Sequence, residues 1–217
     1  MIIPTLYLYD ETSLPVAFDG KQWSSVDNEQ DVNADFHRLS SSRLHLIHPD
    51  ELNAEEAEIL FKAHFNDYQA TLFDVHHEQI TERLHLTWAC TKNKALNKEY
   101  PNHHIASTWL KGCLDSKDVN DTLHCMEIKD RLYVAHIRQH QLLFYQSYPC
   151  PNHSMVLYYI FQCIQELHLE PEITFFQCLT EVDLDNKVSQ ELQSRIATIF
   201  LGNSFEGLLH SMNHKTK

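Results

Sequence analysis

Leu123–Leu179 reads LHCMEIKDRLYVAHIRQHQLLFYQSYPCPNHSMVLYYIFQCIQELHLEPEITFFQCL, and how this stretch folds decides the architecture. Leu123–Ile128, Leu132–Ile137 and Leu142–Tyr148 are short apolar strands separated by polar turns. The second and third are apolar on both faces, which predicts a sheet covered on both sides. Pro149, Pro151 and Asn152 then break the ladder and supply a helix cap. Val156, Tyr159, Ile160, Cys163, Ile164 and Leu167 follow at helical spacing, and Met155, Leu157, Tyr158 and Phe161 widen the stripe until the helix must be buried. Pro171 stops it, Ile173–Cys178 reads as a buried strand, and Val188, Leu192, Ile196 and Ile199 mark one face of a final helix.

Working back from this unit, Asp115–Asp121 (DSKDVND) is a charged connection and the clearest boundary. Before it, Thr5–Tyr9 and Leu14–Phe18 form a predicted hairpin around Asp10-Glu11-Thr12-Ser13. Residues 21–42 are polar with little periodicity and read as a long surface excursion. Arg43–His48 is the expected third strand. Asn53 and Glu56 have capping-box spacing ahead of an apolar face formed by Ala57, Leu60, Phe61, Phe65 and Tyr68. Ala70–Val75 and the alternating Leu84, Leu86, Trp88 and Cys90 read as strands, and Ile105, Trp109 and Cys113 share a helix face.

The order strand, strand, strand, helix, strand, helix therefore appears twice. That is the ribonuclease-H-like unit, and two in tandem make the actin-like fold. The expected organisation is an N-terminal lobe over 1–115, a C-terminal lobe over 122–201 and a tail over 202–217. In the tail, Phe205, Leu208, Leu209 and Met212 form a short amphipathic turn expected to dock on the core, with a protein partner as the alternative.

Composition narrows the function. Against 17 Lys and Arg stand 30 Asp and Glu, a formal charge of -13 that repels a phosphate backbone, so nucleic acid is not an expected partner. No run of about 18 apolar residues is present to span a membrane, and MIIPTLYLYDETS has no signal-peptide pattern. The six cysteines lie in apolar segments without metal or redox spacing, as in a cytoplasmic protein.

Tyr100-Pro101-Asn102 with the helix HHIASTWLKGCL, then LLFYQSY at 142–148 followed by LYYIFQCIQELHLEP, resembles the bacterial domain-of-unknown-function family 3822, grouped with the actin-like ATPases. The resemblance runs from Leu84 to Ile196 and reaches the N-terminal third by arrangement alone. It implies the duplicated fold and no established activity. The sequence departs from the family pattern in a short N-terminal half, in Gln146 where asparagine is commoner, and in the missing glycine after Cys178-Leu179-Thr180.

Active members of that superfamily hold the phosphates on glycine-containing turns. The matching positions here are Asp10-Glu11-Thr12-Ser13, Ile128-Lys129-Asp130-Arg131 and Cys178-Leu179-Thr180-Glu181, and none contains glycine. The chain has four glycines in all. Backbone amides reach a phosphate most readily where no Cβ intervenes. If a nucleotide bound, Asp10, Thr12, Asp130 and Thr180 would face it, beside the repelling carboxylates of Glu11 and Glu181. The expectation is a degenerate, non-catalytic actin-like protein with no cofactor, acting through a protein partner; the alternatives are a nucleotide-binding ATPase or a metal-dependent ribonuclease-H-like nuclease.

For the nuclease, Asp10 with Asp74 or Glu127 would hold two metal ions, though acidic residues in turns are ordinarily solvated. Sixteen histidines include His76-His77-Glu78, His103-His104 and His136/His140. None has H-E-x-x-H spacing, and no metal site is expected. Cys163 and Cys178 sit in apolar runs that suit inert thiols, and no G-x-S-x-G is present.

Overall fold

The structure is a computed structural model that describes residues 6–9, 15–18, 23–25, 37–50, 52–66, 68–92, 103–116, 121–171, 174–180 and 186–213. The chain divides into two compact units, Met1–Thr108 and Trp109–Lys217.

In the first unit, β1 (Leu6–Tyr9) and β2 (Pro15–Phe18) pair antiparallel, as the hairpin reading expects. Beyond β2 the structure departs from that reading. β3 (Trp23–Ser25) and β4 (His37–Ser40) both lie inside the supposed surface excursion, and the sheet order is β3-β2-β1-β4. β4 runs parallel to β1, with Leu6 opposite His37. The polar composition misleads because serine is small enough to bury when hydrogen-bonded. Ser40 and Ser42 are fully buried beside Leu39, and Ser42 Oγ donates to the Ala89 carbonyl at 2.6 Å.

β5 (His45–His48) is consequently not the third strand of the first meander. It pairs antiparallel with β7 (Leu84–Thr91), which also pairs with β6 (Phe73–Thr81), in a separate three-stranded sheet β5-β7-β6. β6 begins at Phe73, so Ala70–Leu72 is turn where strand was expected. Between β5 and β6 lies α1 (Ala54–His64), and its capping box is complete. Asn53 Oδ1 accepts from the amides of Glu55 and Glu56 at 3.0 Å, and Glu56 accepts from the Asn53 amide at 2.9 Å. Phe61 and Tyr68 pack with Leu44 and Ala89 in a small core.

α2 (Ile105–Leu114) crosses the division between the units. The second unit then carries the full ribonuclease-H-like order. β8 (Thr122–Ile128), β9 (Arg131–Arg138) and β10 (Gln141–Pro149) form the antiparallel meander. After α3 (His153–Glu166), β11 (Phe175–Thr180) returns parallel to β8, with Cys178 opposite Cys125. α4 (Asn186–Arg195) leads to β12 (Ile199–Asn203), parallel to β11, and α5 (Ser204–Asn213) follows directly. The sheet order is β10-β9-β8-β11-β12.

Two expectations fail here for the same reason, the position of an edge. β10 ends the sheet, so it is half-buried and not covered on both sides, and Leu143 is 51% exposed. Ile199 continues the helical spacing of Ile196 but opens edge strand β12. The apolar turn expected beyond Gly202 is the helix α5, whose Leu208 is buried. Leu123, Cys125, Leu132, Val134, Val156, Ile160 and Phe176 are among the core side chains that join the meander to α3 and α4.

Candidate functional site

In an open α/β sheet with parallel strands, ligands collect at the carboxyl ends of those strands. β8 and β11 are such a pair, and their register places Leu179 beside Met126. Thr180 and the turn after β8 therefore share one end of the sheet, as a phosphate site of this fold requires. Asp10 and Thr12 lie outside the described residues.

The turn after β8 carries no glycine. Ile128 pairs with Arg131, leaving Lys129-Asp130 as a two-residue turn. Lys129 has φ of 43°, the left-handed region that glycine enters at no steric cost, so the turn keeps its shape without the residue that would open its amides. The Asp130 carbonyl accepts from the Cys150 amide at 2.6 Å, and Arg131 Nη2 donates to Ser147 Oγ at 3.1 Å, tying the turn to β10 and its end. Thr180 is buried. Glu127, three residues before Asp130, is buried too, and burial together with the Glu127 carboxylate pushes the Cys150 and Cys178 thiols up to about 12.

Two of the chain's four glycines, Gly112 and Gly207, serve packing. A Cβ on Gly112 of α2 would stand 2.7 Å from Ser211 Cβ and closer still to its hydroxyl, so glycine lets α2 and α5 touch. A Cβ on Gly207 would stand 2.5 Å from Leu179 Cδ1, so glycine seats α5 on β11.

The histidine groups form packing networks. Glu78, buried on β6, accepts from His103 Nδ1 at 2.8 Å and from the His104 amide at 3.1 Å. His104 Nδ1 accepts from the Ala106 amide at 3.1 Å while Nε2 donates to the Ser42 carbonyl at 2.9 Å, which holds the ring in its neutral form. His45 Nδ1 donates to the same carbonyl at 2.8 Å, and the two rings lie 4.5 Å apart. His76 stacks on Trp88 at 5.3 Å. Burial lowers the pKa of His76 against the opposing pull of Asp74, and burial likewise lowers that of His48.

In the second unit His136 Nε2 bonds Asp121, whose other oxygen accepts from Arg138 Nη2 at 2.5 Å. Burial raises the Asp121 pKa, but these two donors outweigh it and the net shift is downward. His140 Nδ1 donates to the Leu114 carbonyl at 3.0 Å. Among the described residues no three His, Cys, Asp or Glu side chains are arranged to hold a metal. Of the nuclease candidates, Asp74 lies on β6 with Lys92 at 3.8 Å, and Glu127 lies on β8 of a different sheet. Spacing concealed the joining of His76-His77-Glu78 to His103-His104 through Glu78, because the two groups meet only once β6 and the start of α2 are placed. No helix among the described residues is long and apolar enough to cross a membrane.

Solved structures share this arrangement. A Bacteroides thetaiotaomicron protein with actin-like ATPase fold and unknown function is 12% identical, with a TM-score of 0.67 over 97% of this chain and 96% of that one. The PilM–PilN type IV pilus biogenesis complex gives 9% identity and a TM-score of 0.51, over 95% and 90% of the two chains. At such identities the likeness is one of fold, and the protein is an α/β protein of the actin-like ATPase fold. The family described as "Protein of unknown function (DUF3822)" matches residues 41–199, and the chain belongs to it. No curated protein matches the sequence.

Proposed function

We propose that this is a non-catalytic cytoplasmic member of the actin-like superfamily that works by holding a protein partner. The observation that carries the reading is the Lys129-Asp130 turn, where the fold's phosphate position keeps a left-handed backbone at Lys129 without glycine, two residues after the buried Glu127. Gly112 and Gly207, meanwhile, are spent on helix packing. The six cysteines are buried thiols, in keeping with a reducing compartment. That PilM is solved as a complex with PilN is a precedent for the fold holding a protein, and it supports the reading only by analogy.

Thermal melting with Mg-ATP tests the claim. A nucleotide at a hundred times its Kd stabilises by about 2.7 kcal/mol, or roughly 5–10 °C for a chain of this size at about 2–4 °C per kcal/mol. We expect no shift and no hydrolysis. An upward shift, or hydrolysis lost in Asp10→Ala, refutes the proposal, as does a protein that stays monomeric and recovers no reproducible partner by cross-linking in its own cells.

A further inference from the structure

β10 is the outer strand of its sheet and pairs, among the described residues, with β9 alone. Edge strands are ordinarily blunted by charge, proline or a bulge, because a bare edge invites a further strand. In β10 the register shift between Leu142 and Phe144 stands at one end and Pro149 at the other, and Phe144–Tyr148 between them carries no charge. We propose that this window takes up an extended segment of a protein partner that bears lysine or arginine, as an added strand. The inference rests on the reading that the protein holds a partner, and it names the surface and the chemistry of what is held.

Charge selects the partner. From Gln141 to Glu170 the sequence has no lysine or arginine, and its carboxylates are Glu166 and Glu170. The arginines at the two ends of β9 are engaged, Arg131 with Ser147 Oγ at 3.1 Å and Arg138 with Asp121 at 2.5 Å. A cationic segment therefore reaches β10 and α3 without meeting its like, on a chain whose formal charge is -13. A second copy of this chain would bring the same negative charge and the same cation-free edge.

Aromatic rings set the rest. Phe144 and Tyr148 turn toward the core under α3. Tyr148 stacks on Tyr159 at 4.3 Å, Tyr159 meets Tyr158 edge-on at 5.1 Å, and Tyr158 is 58% exposed. The three rings lead from the end of the open window out onto α3. Burial, then the Cys163 thiol and the Glu166 carboxylate, push the Tyr148 hydroxyl up, so that carboxylate acts on the same rings. Glu166 is itself exposed and accepts from Gln162 Nε2 at 2.8 Å. Ring faces beside a carboxylate attract an ammonium or guanidinium. In an added strand alternate side chains fall on the α3 face, so the segment carries its cations at every second position.

Fluorescence anisotropy with the full chain and a labelled peptide VKVKVKV, at about 150 mM salt to screen diffuse attraction, tests this. The controls are VEVEVEV, which reverses the charge, and VKVKVKV with alternate amides N-methylated, which keeps the charge and cannot pair as a strand. We expect saturable binding of the first peptide and binding at least about tenfold weaker for either control. Gln146→Lys puts a cation in the window at an exposed position and should weaken binding about tenfold with Tm unchanged. Tyr158→Leu keeps apolar bulk without the ring and should weaken it about fivefold, whereas Tyr158→Phe should not. No saturable binding, equal binding of the N-methylated peptide, or indifference to Gln146→Lys and Tyr158→Leu overturns the proposal. A dimer that Gln146→Lys dissolves in sedimentation overturns it as well, because the edge then belongs to a second copy. Any of these leaves the partner-holding reading to its own tests, and a melting shift with Mg-ATP refutes that reading without altering the peptide result.

Discussion

Gly112→Ala is the most informative single change, because two effects of opposite sign meet at one atom. In an isolated helix, alanine is better than glycine by about 1 kcal/mol. In this protein the new methyl would stand 2.7 Å from Ser211 Cβ and against its hydroxyl, an overpacking that costs about 1–3 kcal/mol. The net expectation is a loss of about 1 kcal/mol, reaching ~2, which lowers Tm by a few degrees at about 2–4 °C per kcal/mol. Ser211→Gly removes both clashing atoms and leaves only Ser211 Cα at 3.3 Å. In that background Gly112→Ala becomes neutral or stabilising, so the double-mutant cycle gives a coupling of about 1–3 kcal/mol. Chemical denaturation of the four proteins measures it. If Gly112→Ala alone raises stability, or if the two changes are additive, α2 and α5 do not touch here and the packing role given to this glycine is wrong.

The buried histidines predict acid sensitivity. His48 and His76 have folded pKa values below their ordinary 6.5, so the unfolded chain takes up protons first as pH falls. Their contribution is complete above about pH 6.5 and is lost as pH drops through the folded values. Tm should fall between pH 7 and pH 5, and replacing His48 with Gln and His76 with Phe should flatten that slope; an unchanged slope contradicts the assignment. Burial raises the thiols of Cys113, Cys125, Cys150, Cys163 and Cys178, so native protein should react with a disulfide reagent only as fast as it unfolds. Labelling within minutes under native conditions contradicts that burial. Asn53→Ala should cost about 1 kcal/mol, seen as faster amide exchange within α1, and a change confined to the second unit would speak against the cap.

Where local chemistry decides the structure, the sequence was readable. The Asn53 cap, the apolar density of α3 and the meander over 122–149 all follow from neighbours a few residues apart. β4 was hidden because its evidence lies in distant partners: Ser40 and Ser42 look solvated until the parallel pairing with β1 and the bond to Ala89 bury them. β12 was hidden by coincidence, since Ile199 sits three residues beyond Ile196 and extends a helical period into a strand. The lack of glycine in the phosphate turns could be read directly. That Gly112 and Gly207 serve the packing of α2 and α5 could not, because it depends on which elements meet.

The pairing of β8 with β11 also has a consequence in time. β8 is a central strand, yet one of its two flanks is filled at once by β9 while the other waits for α3 to be made before β11 arrives. At roughly 5–20 residues per second of synthesis, that wait lasts some seconds, during which an apolar strand offers an open side to the cell. Seen from the ribosome, the meander is an early product with an unfinished border, and the period before Phe175–Thr180 emerges is when the chain has most need of a chaperone.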